Sequence, residues 1–307
     1  MKPLAISLGD PAGIGPEVTA RALAEFKPRG GAVLFGEPDS IPKRWRSQMG
    51  AFDWRPVPAR SWKIGRPSAG SGETAFQSVT RATKAVLSGE ARALVTAPLS
   101  KEALHLAGHH WPGHTELLAH MAGLKPEEVG MLLVGGGLRV FLITRHCSLK
   151  RAQTLIKPPL LDLALKVCVA GLEKSLKLRR PRLALAALNP HAGEAGAFGR
   201  EEIEVLKPWV RRHSKSRAFS LAGPLPADTV FVQALRGAYD VVFCLYHDQG
   251  LIPLKLLAFD SGVNITLGLP FLRTSPDHGT AWDLAGTGKA SAASMLESLR
   301  LADRHGL

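Results

Sequence analysis

The order of apolar runs and helix-periodic segments along the chain predicts an α/β fold with a mostly parallel sheet. Short apolar runs, typical of buried strands, alternate with longer segments in which apolar residues recur at helical spacing. Three of these runs, residues 140–143, 183–188 and 241–245, each lead within a few residues to a histidine. Open α/β sheets place their chemistry at the carboxyl ends of strands. The chain of 307 residues, 45% hydrophobic and 21% charged, is also long enough for two domains, each with its own core.

The cysteines and the lack of long apolar runs narrow the class of protein. Three cysteines are present and none belongs to a CxxC pair, which argues against both a disulfide framework and a cysteine zinc site. We expect Cys147, Cys168 and Cys244 to be reduced packing residues. The apolar run of residues 4–8 is too short for a signal peptide, and no run approaches the roughly 20 apolar residues that span a bilayer. A cytoplasmic protein with no membrane partner is expected.

The formal net charge of +13 is compatible with a solvated basic surface, a nucleic-acid partner or the capture of small anions. Composition alone does not choose among the three. The densest basic clusters, residues 177–182 and 211–217, fall where predicted helices end, and cations there suit the helix dipole. Aromatic residues make up 6% of the chain and do not interleave with these clusters, which argues against a stacking platform for single strands. No nucleic-acid partner is expected.

The N-terminal segment predicts a strand, a glycine-rich turn and a helix. Residues 4–8 form the apolar run, residues 9–17 (GDPAGIGPE) the turn, and residues 18–26 an apolar-periodic helix. Turns of this kind expose backbone N–H groups to anions. The turn nevertheless lacks the third glycine of the dinucleotide fingerprint, and the chain has no GxxxxGK(S/T) sequence. Taken alone, it is better explained as a tight turn with prolines at the helix start.

The next segments continue the alternation of strands and helices. Residues 32–35 predict a strand, residues 72–88 a helix and residues 93–97 a second buried strand. Residues 38–71, between the first strand and the helix, show little periodicity and predict long loops and edge strands. This alternation implies a mostly parallel sheet.

A helix is predicted to open at Gly113 and to continue to Met121. Its first turn would contain His114 and Thr115. The positive helix end and its unpaired N–H groups favour a bound carboxylate or phosphate there, while ordinary N-capping by Thr115 is the alternative.

The second half of the chain predicts, in order, a hairpin at 131–144, a helix at 157–174, a strand at 182–188, a helix at 201–212, a rigid turn at 222–229, a helix at 231–235 and a strand at 241–245. The hairpin leads to His146, the strand at 182–188 to His191 and the last strand to His247. The rigid turn exposes the carboxylate of Asp228.

Three histidines at strand ends suggest a reactive metal site. Three imidazoles with one open position hold a divalent metal, commonly zinc, that polarises a bound oxygen. The three residues are far apart in sequence, so no local ligand spacing supports the idea, and single histidines are more often packed or exposed side chains. The same geometry would serve a hydrolase equally well.

Seven motifs are spread over the whole chain: GDPAGIGPE from Gly9, VTAPLSK from Val95, GHTE from Gly113, LNPHAGE from Leu188, GPLPADT from Gly223, YHDQGL from Tyr246 and GVNITLGLPFLRTSPDHGTAWDLAGTGKA from Gly262. Together they resemble the motifs of the 4-hydroxythreonine-4-phosphate dehydrogenase family of pyridoxal phosphate biosynthesis. The first and last are also similar to motifs of isopropylmalate and isocitrate dehydrogenases, which bind NAD(P) without the usual glycine fingerprint. This removes the difficulty of the missing third glycine.

The resemblance implies an isocitrate/isopropylmalate dehydrogenase-like fold, with two α/β/α domains and a cleft between them. Residues 1–105 plus 260–307 would form the cofactor-side domain. Residues 106–259 would form the metal-binding and dimerisation domain.

The resemblance also implies the ligands of the site. His146, His191 and His247 would bind one divalent metal ion per active site, Zn, Mg or Co, at the interface of a homodimer with ligands drawn from both subunits. The phosphorylated substrate would be bound by His114, Thr115, Lys255, Asn264 and Arg273. NAD or NADP would be held on its adenosine side by Asp277, His278, Gly279, Thr280, Ala281 and Asp283.

The implied reaction is the oxidation of 4-phosphohydroxy-L-threonine by NAD(P) to a β-keto acid, which loses CO₂ to give 3-amino-2-oxopropyl phosphate. A base must take the proton of the substrate hydroxyl, and the candidates are Lys255, Asp228 and Asp248. A nearby metal would help to keep Lys255 neutral, so it is the favoured base.

One departure from the family pattern bears on the substrate. After His146 the family usually shows a Leu-Pro-Leu or Val-Ser-Leu type run and then Arg-Asp, whereas this chain has Cys147-Ser-Leu-Lys150-Arg151. Paralogues act on phosphorylated threonate or erythronate or on an aromatic dihydrodiol, and the sequence does not separate these. A metal-dependent phosphohydrolase and a basic nucleic-acid-binding protein remain alternatives from other classes, against which the C-terminal DHGTAWDLAGTGKA motif counts.

Overall fold

The computed structural model describes residues 1–58 and 60–306. These divide into two compact units, one formed by residues 1–129 together with 260 onward, the other by residues 130–259. The predicted boundary after residue 105 differs from this division, because residues 106–129 cluster with the first unit. The reason is that helix His114–Met121 buries Leu117 and Leu118 in that unit's core.

The first 129 residues contain, in order, β1 (Leu4–Ser7), α1 (Gly15–Glu25), β2 (Ala32–Gly36), α2 (Lys43–Met49), β3 (Asp53–Pro56), α3 (Ala69–Leu87), β4 (Ala93–Thr96), α4 (Lys101–Leu106) and α5 (His114–Met121). Single 3-10 turns lie at Pro38–Ser40 and Pro126–Glu128. The N-terminus of α3 is closed by a capping box, because the Ser68 hydroxyl accepts from the Ser71 N–H and the Ser71 hydroxyl accepts from the Ser68 N–H.

Residues 130–259 contain β5 (Gly130–Gly135), β6 (Leu138–Leu142), α6 (Leu149–Leu155), α7 (Pro158–Leu176), β7 (Arg182–Ala186), α8 (Lys207–His213), β8 (Ser220–Leu225), α9 (Ala227–Leu235), β9 (Val241–Cys244) and α10 (His247–Ala258). A tight turn at Pro190–Gly196 and a π-helical turn at Glu202–Leu206 lie between β7 and α8. The C-terminal part of the chain adds β10 (Val263–Leu267), β11 (Leu272–Pro276) and α11 (Ala293–His305).

The strands of the first unit lie in the order β3-β2-β1-β4-β11-β10. Every neighbouring pair is parallel except the antiparallel pair β11 and β10. The C-terminal strand β11 pairs with β4, Leu272 lying opposite Ala93, so chain segments far apart in sequence share one sheet. The predicted mostly parallel α/β architecture is confirmed for this unit.

The strands of the second unit lie in the order β5-β6-β9-β7-β8. β5 and β6 form the predicted antiparallel hairpin, and the pairs β6–β9, β9–β7 and β7–β8 are parallel. Because β6, β9 and β7 are adjacent and parallel, their carboxyl ends share one edge of the sheet. The residues that follow these three strands therefore emerge on the same side.

Each unit has its own apolar core. In the first unit α3 and α5 bury Val79, Ala82, Leu117 and Leu118 against the sheet. In the second unit α9 and α10 bury Val230 and Leu254 against β6, β7 and β9. Within the described residues no helix is both long and apolar enough to cross a membrane.

Two segments differ from their sequence-based predictions. Residues 38–71 are not only loop and edge strand, since they contain helix α2, whose buried contact is Met49 alone and whose periodicity is accordingly weak. The rigid turn predicted at 222–229 is instead the end of β8 followed by α9, which begins after Pro226. Prolines in such positions are tolerated at a strand edge and at a helix start.

Candidate active site

A buried arginine is the centre of the predicted substrate-binding group. Arg273, on β11, is 2% exposed, and its guanidinium donates to the Thr96 hydroxyl from Nε at 3.1 Å and from Nη2 at 2.7 Å. Nη1 donates to the Thr266 hydroxyl at 3.0 Å. These partners are neutral, and burial lowers the pKa of the guanidinium to about 9. Within the described residues the side-chain partners of this buried cation are hydroxyls, and an anion would stabilise a cation held in this way.

Two further predicted substrate residues bring unsatisfied polar atoms to the first unit. The Nε2 atom of His114, at the start of α5, and the Oδ1 atom of Asn264, on β10, are buried and have no hydrogen-bond partner within the described residues. Burial, and after it the charge of Arg273, hold the pKa of His114 well below its usual range. The ring is therefore neutral near pH 7 and is suited to exchange a hydrogen bond with a ligand rather than to pair with its charge.

The first turn of α5 is also free of side-chain capping. The N-cap residue is Gly113, which has no side chain, and no side chain of the described residues caps this turn. Thr115 is therefore not the N-cap residue that the alternative interpretation required. Thr115 itself is buried at the second position of the helix. The N–H groups of this turn remain suited to a carboxylate or phosphate.

The predicted cofactor loop, residues 277–283, follows β11 and packs on the N-terminal glycine-rich turn. The Ile14 N–H donates to the Thr280 carbonyl at 3.0 Å. A side chain at Gly13 would lie 2.9 Å from Thr280, so glycine is required for this close approach. The Nδ1 of His278 donates to the Gly279 carbonyl at 3.1 Å, while its Nε2 is buried and, within the part of the chain described, unpaired.

Three residues of this loop complete the description. Asp277 donates its N–H to the Ser294 hydroxyl at 3.2 Å, which fixes the loop to the start of α11. Ala281 has a φ of 39°, in the left-handed region, and its carbonyl accepts from the Leu284 N–H at 2.9 Å. Asp283 is exposed and is thus open to a ligand.

The three strand-end histidines lie at one edge of the second unit's sheet. His146 follows β6, His247 follows β9 and His191 follows β7. The ends of β6 and β9 are fixed together, because the Thr144 hydroxyl donates to the Leu245 carbonyl at 2.7 Å. The ring centroids of His146 and His247 are 5.5 Å apart.

His247 is oriented by its neighbour. Its Nδ1 lies 2.7 Å from the Asp248 carboxylate, which accepts only, so Nδ1 donates to it. In the tautomer that this contact favours, Nε2 is the nitrogen open to a metal. Histidines that bind metals are typically held in this way by a carboxylate. Asp248, predicted as a possible base, is therefore engaged in a contact that orients the His247 ring.

A pocket of about 480 Å³ is lined by residues on either side of these two histidines. The lining residues are Arg145, His146, Cys147, Ser148, Leu149, Tyr246, His247 and Asp248. The first three residues of the run that departs from the family pattern, residues 147–149, are thus part of the pocket wall.

His191 lies in an unusual backbone segment. Residues 191–195 all have positive φ, with values of 52°, 54°, 80°, 38° and 55°. Only Gly193 adopts this region at no cost, and each other residue there costs about 1–2 kcal/mol relative to a right-handed conformation. The segment therefore depends on contacts from outside itself to keep its shape.

Within the described residues of one chain, no group of three or more His, Cys, Asp or Glu side chains is arranged to hold a metal ion. His146 and His191 are exposed, and the ring centroids of His191 and Phe198 are 6.3 Å apart. One chain therefore presents the predicted ligands without assembling them.

The other two predicted bases have different surroundings. Asp228 is exposed in the first turn of α9. Lys255 is half-buried on α10, its Nζ 5.8 Å from the ring centroid of Phe259. Of the two, Lys255 alone is partly buried.

Sequence reasoning missed the residues that support these groups. Thr96 and Thr266 hold Arg273. Thr96 lies inside the VTAPLSK motif and Thr266 inside the long motif that begins at Gly262, and membership of these motifs was the signal that could have found them. Asp10, in the GDPAGIGPE motif, is fully buried, and the Ala12 N–H donates to its Oδ1 at 2.9 Å. Burial raises the pKa of its carboxyl.

The family model described as "Pyridoxal phosphate biosynthetic protein PdxA" matches residues 24–302. The chain belongs to the PdxA family. It is 43% identical over 324 residues to the 4-hydroxythreonine-4-phosphate dehydrogenase of Geobacter metallireducens, covering 97% of this chain and 94% of that protein. It is 40% identical over 324 residues to the D-threonate 4-phosphate dehydrogenase of Salmonella typhimurium, covering 98% of each.

Comparison with solved structures finds members of the same family and, at lower identity, a protein that shares the fold. The 4-hydroxythreonine-4-phosphate dehydrogenase of Klebsiella pneumoniae superposes with a TM-score of 0.87 at 40% identity, covering 100% of both chains. The isocitrate dehydrogenase of Methylococcus capsulatus superposes with a TM-score of 0.52 at 12% identity, covering 100% of this chain and 86% of that one. The predicted isocitrate dehydrogenase-like α/β fold is confirmed by these likenesses.

Proposed function

We propose that this PdxA-family protein is an NAD(P)-dependent, divalent-metal-dependent dehydrogenase that oxidises 4-phosphohydroxy-L-threonine. The product would be a β-keto acid that loses CO₂ to give 3-amino-2-oxopropyl phosphate, in pyridoxal phosphate biosynthesis. The observation that carries the proposal is Arg273, a buried cation whose partners are the hydroxyls of Thr96 and Thr266. Such a group is built to receive an anionic substrate.

The substrate-binding residues divide by chemistry. Arg273 supplies charge and a planar fork for a phosphate or carboxylate, and the neutral His114 and the Oδ1 of Asn264 supply hydrogen bonds. Thr115 presents its N–H in the first turn of α5. Lys255, as a neutral amine, would take the hydroxyl proton.

The donor set at the strand ends fits a transition metal. Imidazoles suit zinc and cobalt better than magnesium, which prefers oxygen ligands. His247, with Nδ1 held by Asp248, presents Nε2, and His146 and His191 would supply the other two nitrogens. When bound, the metal would polarise the substrate hydroxyl and the ketone made from it.

The cofactor loop fits the adenosine side of a dinucleotide. Its backbone is braced by Ile14 at Thr280 and by Ser294 at Asp277, and the buried Nε2 of His278 is available to a ligand. The nicotinamide of NAD(P) would accept the hydride. Asp283 is exposed for a contact with the ribose.

A homodimer is proposed because one chain does not assemble the three histidines. An apolar surface suited to a second copy lies along α10 and just after it, where Ile252, Leu256 and Phe259 are 59%, 83% and 76% exposed. Molar mass measured by light scattering should correspond to two chains. The double variant Leu256→Glu/Phe259→Glu should have the molar mass of one chain and a lower metal affinity than the wild type. A monomeric wild-type protein would exclude a site shared between two chains.

The direct test measures NADH or NADPH formation with 4-phosphohydroxy-L-threonine after chelation and after addition of Zn²⁺, Co²⁺ or Mg²⁺. Turnover that requires both cofactor and metal supports the proposal. Hydrolysis of phosphate without any need for NAD(P) would favour the phosphohydrolase instead. Lys255→Met should lower kcat more than Asp228→Asn does, because only the former removes the proposed base.

A second candidate substrate is D-threonate 4-phosphate. The Salmonella typhimurium relative that carries this activity in its name matches the chain over almost its full length. The departure at Cys147 in the pocket wall also bears on substrate choice. Running both phosphorylated substrates, and a cis-dihydrodiol, side by side and comparing kcat/KM decides among them.

A further inference from the structure

The turn that carries His191 is tied to a buried carboxylate eleven residues further along the chain. Glu202 is fully buried. Its Oε1 accepts two hydrogen bonds of 2.8 Å, from the backbone N–H groups of Leu188 and Asn189. Its Oε2 accepts from the Asn189 side-chain amide at 2.9 Å.

The same carboxylate also abuts the far side of the turn. A Cβ placed on Gly193 would lie 2.7 Å from the Glu202 Oε2, so the backbone of Gly193 lies close against this oxygen. Gly193 has a φ of 80° and is itself buried. Glu202 therefore contacts the chain just before and just after His191.

The neighbouring residues add to this arrangement. Glu201 accepts a second hydrogen bond from the Asn189 amide at 2.8 Å and is held in turn by Gln153 at 2.7 Å. The Phe198 N–H donates to the Gly193 carbonyl at 3.3 Å, which closes the turn. Glu202 is the member of this set that binds the backbone directly.

Local sequence does not account for the conformation of the turn. His191, Ala192, Glu194 and Ala195 all adopt left-handed φ values that such residues avoid. A run of this kind persists only where surrounding groups determine it. A buried carboxylate that accepts two successive backbone N–H groups at the entrance to the turn is such a determinant.

We propose that Glu202 is a positioning residue for metal binding: it holds residues 188–193 in the one backbone conformation that presents the His191 imidazole as a ligand. It touches neither metal nor substrate in this role. The inference rests on the proposed function, in which His191 is a metal ligand, and it explains why a ligand is placed on a strained turn. Outer groups that orient metal ligands typically affect metal affinity by about 10–100-fold.

The test uses the full-length protein and measures Zn²⁺ and Co²⁺ affinity by competition with a chromophoric chelator. Glu202→Ala should weaken affinity by about 10–100-fold. Glu202→Asp, which keeps the charge but is one methylene too short to reach both N–H groups, should weaken it less. The matched controls are Glu204→Ala and Glu204→Asp in the same π-helical turn, where the side chain is exposed and pairs with Arg200 at 2.6 Å; both should leave affinity unchanged.

Amide hydrogen exchange supplies a second readout in the metal-free state. The Leu188 and Asn189 amides should exchange faster in Glu202→Ala than in wild type, while NAD affinity, a property assigned to the other unit, should stay within about twofold, the scatter of an unrelated site. A role confined to fold stability predicts a lower Tm with wild-type metal affinity in the folded protein. That result would overturn the inference, and if Glu202→Ala does not fold, wild-type affinity in Glu202→Asp would overturn it equally.

His191→Ala, measured in parallel, separates this inference from the proposed function. If His191→Ala loses metal affinity and the Glu202 variants do not, the positioning role is wrong and the metal site stands. If His191→Ala itself binds metal as wild type does, the ligand assignment is wrong, and the positioning role fails with it.

Discussion

The buried group of Arg273, Thr96 and Thr266 in the first unit is fully formed within one chain. The strand-end histidines of the second unit are not brought together as a metal site within the described part of one chain. Arg273 is 2% exposed and already holds three hydrogen bonds to two threonines. His146 and His191 are exposed, and one chain's described residues form no three-ligand metal group. The first group is preorganised by its own sheet, so binding there needs little rearrangement. The second supplies ligands that something else must bring together.

The difference follows from the elements that carry the residues. Arg273, Thr96 and Thr266 lie within adjacent strands, where the sheet register fixes every side chain. The histidines lie in the segments just after strands, which are positioned by caps, turns and single anchors such as Asp248. Strand interiors give rigid sites, while strand ends give sites that a ligand or a partner completes.

The largest expected effect is on the incomplete group. His191→Ala should reduce turnover to background, because loss of one of three ligands removes most of the metal affinity. The fold and the adenosine end of NAD binding should survive, since neither depends on this side chain. Metal content, kcat and an NAD fluorescence titration test this, with His120→Ala, an exposed histidine beside Trp111, as the control. Normal activity in His191→Ala would show that the strand-end histidines are not the metal site.

The next largest effect concerns the stability that the C-terminal helix α11 gives to the first unit. Asp303, on α11, accepts from Arg92 at 2.6 Å and from Arg29 at 2.8 Å, and the Arg92 side chain is 1% exposed. Asp303→Ala should lower the free energy of unfolding by about 3–5 kcal/mol, because it leaves a buried cation unpaired. Breaking the exposed Arg300–Glu297 pair by Glu297→Ala should cost about 0–1 kcal/mol. Urea denaturation of both variants measures the two changes in the free energy of unfolding. Equal changes would argue against a stabilising buried ion pair between Asp303 and Arg92.

A smaller effect concerns the complete group itself. Arg273→Ala should raise the KM for the phosphorylated substrate about ten- to a hundredfold, since a charge-assisted contact is worth roughly 1.5–3 kcal/mol. The KM for NAD should change far less. Arg300→Ala, an exposed arginine of α11, is the control for general loss of charge. An unchanged substrate KM in Arg273→Ala would refute the assignment of this group to substrate.

The smallest effect is a change in the pH dependence of stability. The pKa of His114 is held well below its usual range, first by burial and then by Arg273. The pKa of His114 is lower in the folded state than in the unfolded state, so the unfolded state takes up a proton first as the pH falls. The free energy of unfolding should therefore be at its full value above about pH 6.5 and should fall by up to about 2 kcal/mol between pH 6.5 and pH 5. His114→Gln should flatten this part of the curve, whereas His120→Gln should not. Urea denaturation at the two ends of the range checks it.

The sequence predicted correctly that three strands each lead to a histidine, because the signal for a buried strand is local. Each of β6, β7 and β9 is a short buried run that stops at polar residues, and the alternation of such runs with helices implies parallel strands. The start of helix α5 was likewise predicted from Gly113 and the apolar residues that follow it. Helix α2 was not, because a seven-residue helix that buries one side chain has little periodicity.

By itself the sequence determined the α/β class, the strands that precede the three histidines and, through its motifs, the family. These depend on periodicity and on residue types at short spacing. Only the tertiary structure decided that Arg273 is held by Thr96, 177 residues away in the chain, that Asp303 closes on Arg92, and that Glu202 anchors the turn of His191. The reason is physical: buried polar groups must find partners wherever the fold brings them, and those contacts join residues whose separation along the chain carries no pattern.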